Sequence, residues 1–314
     1  MHFVKNPFLS MLPLAVAVAA LVFGCAALSS PTGPELAAAP LPRYLKGVSF
    51  LYSDGTLETA ADASAERVTW TDSQGNTSSG TPDFVFGRSQ WQRGSRRGTR
   101  RFFPKETGSL WPLQKGNTVQ YTETGTWVDA SGVEKSYRSR WVCSVMGTER
   151  VSVPAGRFDT WKIVCTRYTV ARGGGRSTER EQKIRYYAPE IGHYVLTTRQ
   201  YYGKRDARRM ELVAVLPPLD LLEPEARRYV ETNFQEAMEH RPSGRSVSWF
   251  ADNNSWGVVI IPRDTFRMPD GTFYRRYTQK LFLPEGERTY YGMAYRNAQG
   301  RWGLPLHQPI RNLK

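Results

Sequence analysis

The chain has 314 residues, a formal net charge of +14, 40% hydrophobic residues and 12% aromatic residues. That apolar content supports packed cores and excludes a disordered chain, and the length gives room for two domains of ordinary size. Tyr, Trp, Phe, Val and Thr are frequent and Leu/Ala/Glu-rich runs are scarce beyond the first residues, so composition favours strands over helices.

Residues 1–24 carry Lys5, an apolar run over 8–23 and then Gly24. A positive head, a short apolar body and a small residue at the cut site are the secretory signature. The run is shorter than the roughly 20 apolar residues of a spanning helix, and no basic stop-transfer cluster follows it. Cys25 directly after Gly24 resembles the lipobox of bacterial lipoproteins, in which the thiol receives a diacylglycerol and becomes the new N-terminus. Val22 and Phe23 stand where that motif usually has Leu and a small residue. The alternative is ordinary secretion or an uncleaved anchor. The resemblance implies a covalent lipid on Cys25, with no other cofactor. Two or more acyl chains, at about 0.8 kcal/mol per buried CH₂, hold a protein stably on a bilayer. Ala26 replaces the Asp that favours inner-membrane retention, which implies the outer membrane of a Gram-negative bacterium, on its periplasmic or its outer face. Losing Lys5 leaves +13 on the mature part. Behind an export signal, the polyanions within reach are lipopolysaccharide phosphates, anionic lipid heads and acidic wall polymers, not nucleic acid.

Residues 25–42, rich in Pro, Ala and Ser, read as a lipidated tether. Residues 43–218 then form a β-rich domain. Strand-like runs at 48–52, 67–70 and 119–124 are followed by turn signals at 53–55, 71–76 and 129–132. Such spacing predicts an antiparallel sheet, sandwich or half-barrel.

Cys143 and Cys165 are an even pair in an exported chain, which predicts a disulfide. Folding residues 139–168 as a hairpin with these two opposed sets Val145 against Ile163 and Gly147 against Trp161. Trp141, Cys143, Val145, Trp161 and Ile163 then share one face, an alternation that a one-residue slip destroys. The tip falls at 152–156. Two buried free thiols are the alternative. Three further motifs, Leu110-Trp-Pro-Leu, VSVPAGRFD at 151–159 and YAPEIG at 187–192, resemble in order those of β-rich bacterial envelope domains of unknown function. They are turn and packing residues, so they imply fold and not activity.

One helix is predicted, within 219–241. Asp220 and Glu223 have capping-box spacing, and Pro224 suits a first turn. Ala226, Val230, Phe234, Ala237 and Met238 form its apolar stripe, His240 and Arg241 suit its end, and Pro242-Ser-Gly244 stops it. Residues 242–314 are strand-like again. The motifs QEAME, PSG, VSW, GVV, YRRYT, YGMAYR and GRW, between Phe234 and Trp302, resemble the C-terminal domain of the bacterial 17 kDa outer-membrane surface antigen family. That family commonly has Cys at the positions of Tyr274 and Tyr295, so the resemblance implies an aromatic pair where a disulfide would be.

The basic stretch 88–105 holds seven cations and no acid. Arg93, Arg96, Arg97, Arg100 and Arg101 are the candidate anion-binding residues, because arginine forks match phosphate oxygens. Trp91, Phe102 and Phe103 are candidate interface aromatics on the same loop. The competing reading is a solvated loop whose aromatics are merely core. Arg172-Gly-Gly-Gly-Arg176 lacks the Gly-Lys-Ser/Thr of a phosphate loop and reads as a hairpin tip. His193, His240 and His307 are too scattered for a metal site, and no nucleophile motif is present, so no catalytic residue is assigned. Carboxylate pairs meet only in space, and Asp252, Asp264, Asp270, Glu285 and Glu287 read as turn or surface residues.

The reading is a mainly β outer-membrane lipoprotein without enzymatic activity, in a structural or binding role toward anionic envelope polymers such as lipopolysaccharide. The alternatives are a carrier or chaperone holding an apolar ligand in a half-barrel, and an envelope hydrolase.

Overall fold

The computed structural model describes residues 33–104, 109–169, 177–251, 256–283 and 286–306. The signal segment, Cys25, the 172–176 tip, Asp252, Glu285 and His307 lie outside the described residues. The strands are β1 (Ser49–Tyr52), β2 (Leu57–Ala63), β3 (Val68–Asp72), β4 (Thr77–Gly80), β5 (Gln90–Arg93) and β6 (Arg96–Pro104), then β7 (Thr118–Val128), β8 (Glu134–Val153), β9 (Gly156–Thr169), β10 (Glu179–Ala188), β11 (His193–Tyr201) and β12 (Arg208–Leu216). Each pairs antiparallel with its successor, and β12 returns to β1 through Leu212↔Tyr52 and Leu216↔Ser49. The expected half-barrel is therefore a closed twelve-stranded ring. Closure removes the free edges that an open sheet would expose.

Local chemistry sets the turns. At the β1–β2, β3–β4 and β7–β8 turns, Gly55, Gly75 and Gly132 take positive φ. Asp129 Oδ1 accepts the backbone N–H groups of Ser131 and Val133, fixing the last of these turns. Along β7, Val119, Tyr121, Glu123 and Gly125 are buried and their neighbours are not, which is the period of two.

Cys143 and Cys165 are bonded and directly opposed on β8 and β9, with Val145 opposite Ile163. Beyond that the expected register is off by one. A bulge between Val145 and Gly147 puts Gly147 against Lys162 and Thr148 against Trp161. Met146 is left 54% exposed, the extra residue that a bulge turns out of the ladder. The tip forms as expected, with Val153 opposite Gly156.

Leu110 to Leu113 is no strand. It dips into the barrel, burying Leu110 and Leu113, and makes a single bridge to Ala39. The end of the expected tether is thus docked, with Ala39 buried beside Leu113 and Leu36 packed against the same core. Val119, Tyr121, Trp141, Cys143, Val145, Trp161, Ile163, Cys165 and Tyr187 complete this core.

After a 3₁₀ turn at Leu219–Leu221 comes α1 (Pro224–His240). Asp220 lies in that turn, so the expected capping box does not form. Glu223 is the N-cap, without a side-chain cap, and Pro224 fills the first position. The apolar stripe is as expected, with Ala226, Val230, Ala237 and Met238 buried and Phe234 packed beside them. The other end is capped from a distance: Arg275, itself buried, donates to the carbonyls of Met238 and Arg241, each at 2.6 Å. Those carbonyls lack partners within the helix.

Arg275 belongs to a meander of β13 (Val247–Phe250), β14 (Gly257–Arg267), β15 (Phe273–Leu283), β16 (Gly286–Arg296) and β17 (Trp302–Gly303). Tyr274 and Tyr295 are cross-strand partners here, with ring centroids 6.2 Å apart. The meander joins the barrel where Gly292 pairs with Ala214. Arg276 also donates to Pro154 O at the β8–β9 tip. One apolar cluster runs through both parts, from Phe50 and Leu212 to Val258, Ile260 and Leu281.

Among the described residues, four glycines lie opposite an aromatic ring too close to admit a Cβ: Gly98 under Trp91, Gly125 under Tyr137, Gly257 under Phe250 and Gly292 under Tyr277. A Cβ on Gly125 or Gly292 would lie 2.5 Å from the tyrosine above it. Each ring covers the strand where glycine supplies no side chain.

Candidate functional site

Cross-strand register carries one row of inward side chains around the ring: Val119, Cys143, Cys165, Lys183, Arg199 and Arg208. A second row runs Tyr121, Trp141, Arg167, Glu181 and Tyr201. Both begin apolar on β7–β9 and turn charged on β9–β12. The charged part borders a partly enclosed cavity of about 240 Å³. Its lining comes from two groups of strands, Glu58, Trp70, Arg93 and Arg100 on β2–β6 and Lys183, Arg185, Arg199 and Arg208 on β10–β12, joined by Asp83, Phe84 and Arg88 from the β4–β5 connection. Closure of the ring through β1 brings the two groups together.

Aromatic faces back several of these cations. Arg88 lies 4.3 Å from the centroid of Trp70, Lys183 lies 4.6 Å from that of Trp141, and Arg185 lies beside Phe84 and Tyr194 at 5.8 and 6.0 Å. Such cation–π contacts hold a guanidinium plane and leave its N–H edge free. Carboxylates neutralise part of the charge. Glu181, 1% exposed, takes Arg199 at 2.5 Å, Arg167 at 2.9 Å and Lys183 at 3.4 Å. Burial alone would raise the Glu181 pKa, but Lys183, Arg199 and Arg167 outweigh it and hold the carboxyl below its ordinary value. Glu58 pairs with Arg88 at 3.4 Å, Asp54 with Arg208 at 2.6 Å, and Glu123 with Arg100 at 3.6 Å. Glu123 also accepts from the Tyr137 hydroxyl and the Trp141 indole, each at 2.6 Å. Among the described residues, Arg93 and Arg185 have no carboxylate within 4 Å.

Desolvation pushes the Lys183 ammonium down to about 7, helped by Arg185 and opposed by Glu181. Burial raises the Asp83 carboxyl. His193 opens β11 and is fully buried among Phe50, Tyr194, Tyr44 and Trp70. Its Nδ1 shares a 2.7 Å hydrogen bond with the Tyr44 hydroxyl, accepting it in the neutral tautomer that carries its proton on Nε2, and burial, then Arg88 and Arg185, depresses its pKa well below the ordinary value. Among the described residues no His, Cys, Asp and Glu cluster could hold a metal.

The basic stretch expected to be a loop is the β5–β6 hairpin, turning at Gly94 with positive φ. Strand alternation then splits the candidate residues. Arg93, Arg96 and Arg100 share the face of Trp91, Gly98 and Phe102, and of these Arg93 and Arg100 line the cavity. Phe102 packs on Phe86 and Tyr121. Arg97, Arg101 and Phe103 are on the opposite face and exposed, and Arg97 borders a separate groove with Arg67, Gln90 and Thr99. The five arginines are thus not one patch. Sequence reasoning missed Arg88, Lys183, Arg185, Arg199 and Arg208 as a group. The available signal was the alternation Glu181, Lys183, Arg185 on a strand ending in Tyr186-Tyr187-Ala188: charge at every second residue beside an apolar end marks a polar patch on an inward face.

No protein-family model matches the chain. Over 82 residues it is 35% identical to the 17 kDa surface antigen of Rickettsia conorii, covering 26% of this chain and 51% of that protein. The Rickettsia prowazekii protein of the same name is 33% identical over 76 residues, covering 24% and 48%. The chain spans about half the length of these curated relatives. Among solved structures, the hypothetical lipoprotein YmcC from Escherichia coli (K12) aligns with a TM-score of 0.36 and 9% identity over 54% of this chain and 83% of that one. A putative exported protein with a YmcC-like fold from Bacteroides fragilis gives 0.29 and 12% over 56% and 98%. The expected resemblance to the 17 kDa surface antigens is therefore found, over about a quarter of the chain.

Proposed function

We propose that the protein is a non-enzymatic binding component of the bacterial cell envelope, lipid-anchored at Cys25 to the outer membrane. It holds an anionic group of an envelope polymer, such as a lipopolysaccharide phosphate, in the barrel cavity. The observation carrying this reading is the convergence of seven Arg and Lys side chains on one cavity, two of them without a carboxylate. Surface-antigen relatives and the export signature support the location. The apolar-carrier reading needs open apolar space, whereas the apolar half of the interior is filled by Val85, Leu110, Leu113 and Ala39. The hydrolase reading needs free carboxylates for proton transfer. Glu58, Glu123 and Glu181 are each tied to an arginine, which leaves Asp83 as the lining carboxylate without an ion pair among the described residues, one where a glycoside hydrolase uses two.

The test measures binding of the purified mature chain to lipopolysaccharide before and after phosphatase treatment. Lys183→Gln with Arg185→Gln is expected to weaken binding at least about tenfold, since charge-assisted hydrogen bonds are worth about 1.5–3 kcal/mol each. Arg97→Gln with Arg101→Gln, the same charge change on the outer face, should leave it intact. Equal binding by the cavity variant and wild type would sink the reading. Labelling cells with radioactive palmitate, with Cys25→Ser as control, tests the anchor, and an unlabelled wild type overturns it.

A further inference from the structure

Resting on that reading, the cavity's charge balance and size narrow the ligand's chemistry. Seven cations line it or reach into it, against five carboxylates that line it or pair with those cations. With every group ionised two positive charges remain, three if Arg167 on Glu181 is counted, and a Lys183 ammonium pushed down to about 7 reduces that surplus near neutral pH. The surplus has an address: Arg93 and Arg185 are the lining cations without a carboxylate within 4 Å among the described residues. Arg185 also lies beside two rings, Phe84 and Tyr194, at 5.8 and 6.0 Å, contacts that favour a guanidinium there.

Size sets the second limit. A cavity of about 240 Å³ has room for a phosphate group together with part of what carries it.

We infer that the cavity binds a terminal phosphomonoester, a dianion bridging Arg93 and Arg185, in preference to a phosphodiester or a sulfate. A phosphomonoester carries about −1.5 to −2 charges at neutral pH and three strong acceptor oxygens. That matches two unpaired guanidinium groups, each able to bind bidentately. Phosphodiesters and sulfate monoesters carry one charge and leave one arginine uncompensated. Terminal phosphates occur on both glycans and lipids, and nothing in the chemistry of two arginines separates them.

The experiment is calorimetric titration of the full mature chain at fixed ionic strength. The probes are glucose 1-phosphate and dihexanoyl phosphatidic acid as glycan and lipid monoesters, with dihexanoyl phosphatidylglycerol as diester and glucose 6-sulfate as monoanion. At least one monoester is expected to bind about tenfold or more tightly than the diester and the sulfate, and which monoester wins identifies the source. Arg93→Gln and Arg185→Gln should each abolish that preference, while Arg97→Gln keeps it. Circular dichroism and thermal melts of each variant separate lost binding from lost folding, and Arg185→Lys, which keeps one charge without the fork, should retain part of the affinity. Equal affinity for monoester and sulfate, or a preference unchanged in both arginine variants, overturns the inference. If lipopolysaccharide still binds through Lys183 and Arg185 while every small monoester fails, the cavity reading stands and the phosphomonoester inference falls.

Discussion

The β7–β9 wall and the β10–β12 wall of the barrel share the same cross-strand rows but not the same chemistry. Where Cys143 faces Cys165, the row is apolar, covalently fastened and packed under Leu110 and Leu113. One strand further, Lys183 and Arg199 occupy the same row and border open volume. The first wall is ordinary core. The second holds cations that burial disfavours, kept by Glu181 and by aromatic faces. The difference teaches that this barrel packs as apolar core on one side and gathers charge on the other, with Glu181 and Glu123 marking the seam.

The comparison can be broken most severely at Glu181. Replacing it by Gln leaves Lys183, Arg167 and Arg199 without their shared carboxylate, and losing one side of a buried ion pair costs about 3–5 kcal/mol. Chemical denaturation should show a large fall in midpoint; an unchanged midpoint would mean that water, not Glu181, carries those charges. On the opposite wall, Cys143→Ala with Cys165→Ala should cost about 3 kcal/mol, because the bond closes a loop across a sequence separation of 22. The same loss should follow reduction of the wild type, with the cavity's anion binding intact once the variant is kept folded. At the seam, Gly125→Ala drives a methyl into the Tyr137 ring that reaches over to Glu123, and overpacking of this kind costs about 1–3 kcal/mol. A melt unshifted by that change would show that Tyr137 moves freely.

The effect that most sharpens the contrast is on pH. Lys183 titrates near 7 in the fold, against about 10.4 in an unfolded chain. Between those values the unfolded state binds the extra proton, so this group makes stability rise as pH rises from about 7 towards 10. Lys183→Met should flatten that rise and stabilise the protein most at the low end of the window. A pH profile identical to wild type would show that Lys183 is solvated like a surface lysine.

Much of the fold was legible because local chemistry dictated it. Turn residues at 53–55, 71–76 and 129–132 placed three hairpins, and the Cys143–Cys165 pairing set a register that held until Met146. The bulge there was not legible, since which residue leaves the ladder depends on packing against neighbouring strands. The helix stripe from Ala226 to Met238 was readable at a period of 3.6, but its C-terminal cap was not, because Arg275 reaches it from 34 residues or more away. The basic stretch was noticed for its charge and misread as one patch, because a strand sends alternate residues to opposite faces. Only a strand assignment separates Arg93 and Arg100 from Arg97 and Arg101.

By itself the sequence determined the β character, the export signature, the disulfide partners and the antigen-like C-terminal motifs, all of which depend on residues close in the chain or on a pairing that one hairpin supplies. Tertiary structure alone decided that the sheet closes, that its interior divides into an apolar and a cationic half, and that Arg88, Arg93, Arg100, Lys183, Arg185, Arg199 and Arg208 meet. The physical reason is that closure is a pairing between β1 and β12, more than 150 residues apart. No local propensity encodes a contact of that range, and every inward row inherits its composition from it.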